Sequence, residues 1–133
     1  VVYFGSSKVV HMGDLFFNGR LPFVDVATGG RVQGVIRGVE GVLSWLPADA
    51  KVIPGHGPLS DVAGLKQYLA MLKATVAIVR TQIAAGQSEP KVLAKGLPKA
   101  YDALSWSFVT TEKYLKMLYK CLTIEALVNQ KQP

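Results

Sequence analysis

Cysteine and histidine are scarce in these 133 residues, with one of the first and two of the second, and charge is thin at 18%. A single cysteine, Cys121, excludes an internal disulfide, and its place among Tyr114, Leu115, Leu118, Tyr119 and Leu122 predicts a buried structural thiol. Half the residues are hydrophobic, which excludes disorder as the main state. No run of 18 consecutive apolar residues exists, because Lys66, Gln67, Lys73 and Arg80 interrupt the longest stretch, so neither a membrane-spanning helix nor a membrane partner is expected. The opening Val1-Val2-Tyr3-Phe4 has no initiator Met and no signal-peptide pattern, and the compartment stays open. The length suits one domain, 1–133.

Acidic residues are also few, nine against fifteen Lys and Arg, for a net charge of +6 and a pI near 9.6. Such a balance permits a nucleic-acid partner. The basic residues are scattered at helical spacing, as in Lys91, Lys95, Lys99, Lys113, Lys116 and Lys120, the pattern of solvated helix faces, and nucleic acid is not expected.

Regular elements are legible in the periodicity. Val1–Phe4 and Val9–Met12 flank the turn-prone Gly5-Ser6-Ser7-Lys8, which predicts a hairpin. Positions 19–30 read as an irregular loop rich in large apolar residues. From Val32 to Leu46 a stripe of Val32, Val35, Ile36, Val39, Val42, Leu43 and Leu46 predicts a helix packed on a sheet, with Gly34, Gly38 and Gly41 allowing close approach. Lys51-Val52-Ile53 is a short strand leading into Pro54-Gly55-His56-Gly57-Pro58. A long helix capped by Ser60 or Asp61 follows, carrying Leu65, Leu69, Leu72, Val76, Val79 and Ile83 and closed by Gly86. A helix starting near Ser88-Glu89-Pro90 breaks at Gly96, and a last one spans about Thr111 to Leu127. The expected class is α/β or α+β.

Two polar clusters stand just past predicted strands, where α/β folds place ligand sites: His11-Met12-Gly13-Asp14-Leu15-Phe16-Phe17 and Pro54-Gly55-His56-Gly57-Pro58. A carboxylate and an imidazole are both ligands for zinc, manganese or iron. Equally, Asp14 can cap a turn and His56 can bond a nearby carbonyl. His11 is a candidate third ligand but better suits packing or a bond to a metal ligand, and Asn18, Arg20 and Asp25 lie in a loop that can line a site, each equally readable as a turn or surface residue.

Together with Pro22-Phe23-Val24-Asp25, these motifs resemble the carboxy-terminal half of a metallo-β-lactamase-fold hydrolase over positions 1–60, leaving 61–133 as a helical tail. The resemblance implies half of an αββα sandwich, in which Asp14 bridges two zinc ions and His56 ligates one, and a small-molecule substrate hydrolysed with metal assistance. The His-x-His-x-Asp-His motif of that family is absent. One chain therefore offers two protein ligands where a catalytic zinc takes three, and weak or no activity alone is expected, with no catalytic residue assigned. The implied partner is an N-terminal half or a second copy, as a homodimer. The competing reading is a non-catalytic self-associating or partner-binding module with vestigial ligands.

Overall fold

The computed structural model describes residues 1–130, so the last three positions of the expected 61–133 tail lie outside the described residues. The fold is α+β. β1 (Val2–Phe4), β2 (Val9–His11), β3 (Lys51–Ile53) and β4 (Ser60–Asp61) form one mixed sheet in the order β1-β2-β3-β4. The hairpin β1–β2 is antiparallel, as its turn residues predict. β2 and β3 are parallel neighbours, which requires the long crossover supplied by α1 (Val32–Leu43). β4, which the sequence reading took only as a helix cap, pairs antiparallel with β3. At two residues it is too short to leave a period. α2 (Val62–Ala84), α3 (Glu89–Lys95) and α4 (Thr111–Asn129) complete the chain. Asp61 caps α2 by accepting from the Gly64 amide at 2.8 Å, and Thr110 caps α4 by accepting from the Lys113 amide at 3.2 Å.

Strand alternation divides the sheet into unlike faces. Val10 and Val52 are cross-strand neighbours with no exposure, and they meet the helices. Val2, Phe4, Val9, His11 and Ile53 occupy the alternate positions, and Val2 and Phe4 remain 56% and 53% exposed. On this second face Val9 and Ile53 are half-buried and His11 is exposed.

α1 ends three residues earlier than its stripe suggested, and it lies chiefly against α2 and the short 3-10 turn Gly13–Leu15 instead of on the sheet. Only one of its glycines is a close approach: a Cβ on Gly38 would stand 3.2 Å from Leu15 Cδ2, whereas Gly34 and Gly41 face open space. Their cost in helix propensity is offset by the buried Val32, Val39 and Val42.

One continuous core joins both parts of the chain. Val10, Phe16, Phe17 and Val52 from the strand region are buried in the same cluster as Leu65, Leu72, Val79, Leu115 and Leu118 from the helices. Tyr114 sits in it with its hydroxyl 2.8 Å from Thr75 Oγ1. Cys121 is fully buried, as expected, and its sulfur accepts from the Val32 amide at 3.4 Å. The 23-residue α2, contrary to the sequence expectation, is long and apolar enough to cross a membrane by length and composition, since its charged residues are spaced too widely to lower the average. Its Leu65, Leu72, Val76 and Val79 are instead committed to the protein core.

Candidate metal-ligand pair and its surroundings

The parallel register of β2 and β3 builds the site. His11 stands opposite Ile53, so residues three further along each chain emerge side by side beyond the carboxyl ends of the two strands. Those residues are Asp14 and His56, 42 apart in sequence. His56 Nε2 lies 3.4 Å from Asp14 Oδ1, with the two side chains 42% and 78% exposed. Neither side chain makes a hydrogen bond among the described residues, so the turn-cap and carbonyl-bond readings do not apply.

Backbone contacts hold the loops together. The Met12 amide donates to Ile53 O at 2.9 Å, the Gly55 amide to Gly13 O at 2.9 Å, and the Asn18 amide to His56 O at 2.8 Å. Asn18 also donates from its side chain to Pro58 O at 3.0 Å. The glycines flanking His56 are sterically required. A Cβ on Gly55 would stand 2.6 Å from both Asp14 Oδ1 and Gly13 O, and one on Gly57, where φ is +98°, would collide with Asn18 O.

Two ligands at about 2.0–2.1 Å on a tetrahedral zinc stand about 3.3–3.4 Å apart, so the Asp14–His56 separation matches one edge of such a site. The pair fits as part of a zinc centre. It does not complete one, because no group of three or more His, Cys, Asp or Glu that could hold a metal occurs among the described residues. His11 is exposed and belongs to the open sheet face, where its Nδ1 accepts from the Gly13 amide at 3.1 Å. It supports the turn that carries Asp14 and does not bond a ligand side chain.

The loop expected to shape a cleft divides in two. Phe16, Phe17, Leu21 and Pro22 are core residues, and Phe23 alone of its aromatics is exposed. Phe17 stacks on the His56 ring at 4.8 Å between centroids, 16° from parallel, and thereby sets the imidazole plane. Asp25 caps its own turn by accepting from the Ala27 and Thr28 amides at 3.1 and 3.3 Å.

No protein-family model matches the chain, and no curated protein matches it.

Sequence reasoning missed the neighbours of the pair contributed by the chain after α3. Trp106 lies 5.6 Å from the His56 ring, followed by Phe108 at 5.6 Å from Trp106 and Phe23 at 5.5 Å from Phe108. Residues Ser105–Thr110 belong to no helix or strand, so no periodicity announced them. Tyr68 is buried beneath the site, 5% exposed, and burial holds its phenol well above the ordinary value.

Proposed function

We propose that this chain is the carboxy-terminal half of a metal-dependent hydrolase of the metallo-β-lactamase type, half of an αββα sandwich, contributing Asp14 and His56 to a zinc site completed from outside the chain. The observation that carries the reading is the Asp14–His56 edge of 3.4 Å at the carboxyl ends of two parallel strands. The open sheet face supports it, since a second layer would cover Val2, Phe4, Val9 and Ile53.

In this reading Asp14 and His56 would be the residues of this chain that hold a zinc ion, which when bound would supply Lewis acidity and a nucleophile at neutral pH. Phe17 stacks on the His56 ring, Gly55 leaves room beside the Asp14 carboxylate, and Gly57 lets the turn lie against the Asn18 backbone. The completing ligands come from an N-terminal half or from a second copy.

Zinc titration by calorimetry tests the ligand assignment. The chain alone is expected to bind weakly, because two protein ligands fall short of the usual three, and Asp14→Ala or His56→Ala is expected to remove the remaining affinity. Zinc binding unchanged in both variants sinks the proposal.

The second reading, a self-associating or partner-binding module without catalysis, is favoured by the same exposed apolar face and by Trp45, 49% exposed and edge-on to Tyr3 at 5.2 Å. A two-fold pair buries one self-complementary patch twice. Light scattering is expected to give twice the 14.3 kDa chain mass at micromolar concentration. A sharp monomer mass in a folded sample removes the homodimer and leaves the N-terminal half as the completing partner.

A further inference from the structure

The surface leading away from His56 is built from aromatic rings and free cations. Trp106 is anchored from two sides: its indole N–H donates to Leu21 O at 2.9 Å and its amide to Val109 O at 3.1 Å. Leu21 in turn donates to Leu104 O at 2.8 Å, so the 19–30 loop and the Ser105–Thr110 turn are tied together. Phe108 and Phe23 continue the run outward with 51% and 40% of their surface exposed. Beyond Phe23 opens a groove of about 550 Å³ lined by Val24, Val26, Met117, Tyr119 and Ile124.

Two cations stand over these rings. The Arg20 guanidinium carbon is 4.9 Å from the Trp106 ring centre, and Lys113 Nζ is 4.3 Å from that of Phe108 and 5.7 Å from that of Phe23. Lys113 also donates to Phe108 O at 2.8 Å. The ion pairs of lysine and arginine among the described residues are Lys8–Asp49, Lys73–Glu40, Arg80–Glu125 and Lys116–Glu112. Arg20 and Lys113 belong to none of them. Ring quadrupoles hold both cations in place while leaving their charge unneutralised.

A core-forming role does not account for this arrangement, because Phe23 and Phe108 are about half in solvent and both charges are unpaired. We propose that the Trp106–Phe108–Phe23 shelf, with Arg20 and Lys113, is the substrate platform of the Asp14–His56 site and takes a small organic anion carried on a flat ring. The ring packs against the shelf, whose neighbouring rings are tilted 54° and 60° to one another, the anionic group meets the two cations, and the adjoining bond lies toward the Asp14–His56 pair. The proposal rests on the hydrolase reading and names its substrate class, while its test needs no metal.

The Trp45→Phe protein, altered at the far end of α1, leaves Trp106 as the sole tryptophan reporter. Titrated in chelator with 1-naphthyl phosphate, its fluorescence is expected to quench saturably. 1-Naphthol and inorganic phosphate, each carrying half of the recognised chemistry, are expected to bind at least about tenfold more weakly. Arg20→Met, Lys113→Met and Phe108→Ala, all at solvent-accessible positions, should each weaken naphthyl phosphate about tenfold, while Lys91→Met on α3 should change nothing. Absence of saturation, equal binding of the neutral ring, or indifference to both Arg20→Met and Lys113→Met overturns the shelf. Saturable binding here alongside zinc affinity indifferent to Asp14 and His56 overturns the hydrolase reading alone.

Discussion

Gly57→Ala is expected to cost at least about 3 kcal/mol of stability and to lower the melting temperature by on the order of 10 °C. Two penalties coincide at this position. Its φ of +98° is a conformation that side chains with a Cβ rarely adopt, and the added carbon would collide with the carbonyl oxygen of Asn18. Relief requires the Asn18 backbone to retreat, which breaks the 2.8 Å bond from its amide to His56 O. The damage therefore falls on the imidazole as well as on the fold, and zinc affinity should disappear together with stability. Gly34→Ala and Gly41→Ala provide the internal contrast. Both sit in the interior of α1 with nothing near the new methyl, so each should stabilise by up to about 1 kcal/mol. Calorimetric melting of the three variants checks the opposite signs, and a Gly57→Ala protein with unchanged melting and zinc binding would remove the steric account of the Gly-His-Gly turn.

Tyr114→Ala is expected to cost about 3–5 kcal/mol, a large part of the stability of a domain this size. The ring is fully buried where α4 meets α2, and its hydroxyl is paired with Thr75. Tyr114→Phe separates the terms: it keeps the ring, leaves the Thr75 hydroxyl bonded to Met71 O and Leu72 O, and should cost only about 1 kcal/mol. The phenol also gives the protein an alkaline limit. Burial raises the Tyr114 phenol well above its ordinary value of 10.0, and Tyr68 shifts the same way. The unfolded chain releases these protons near the ordinary value while the folded chain retains them. The stabilisation is thus fully present below about pH 10 and is lost as pH rises toward the folded-state values. Denaturant midpoints measured from pH 8 to 11 should fall above pH 10, with a shallower slope in Tyr114→Phe. A pH-independent midpoint would mean that Tyr114 is not buried as a neutral phenol.

The hairpin, the crossover helix and the Lys51–Ile53 strand were legible because each carries a period or a turn signature of its own. Asp14 and His56 were legible as candidates because glycines beside a ligand-type residue at a strand end are a local pattern. Their 3.4 Å approach was not, since it depends on which strands pair and in what register, a property of no single segment. β4 escaped notice because two residues cannot alternate, and α1 ended early because Ser44 and Trp45 turn the chain before Leu46, which is still buried. The shelf was invisible for a different reason. Trp106 is held by Leu21, 85 positions away, and Arg20, read only as a loop residue, acquires its role from that contact.

The crossover between β2 and β3 also fixes when the two donors can meet. Before those strands pair, Asp14 and His56 are the ends of a flexible 42-residue stretch, and bringing such ends together costs about 3 kcal/mol in chain entropy plus a constant. α1 shortens the stretch once it condenses on α2, but no local hairpin can substitute for the closure, because parallel strands admit none. The pair therefore exists only once those strands have paired. A chain still emerging from synthesis, or one partly unfolded, presents a lone carboxylate and a lone imidazole, each a poor trap for an ion. Under the proposed zinc reading, capture of metal would be tied to completion of the fold, and a bound ion would add its binding energy to the native state alone.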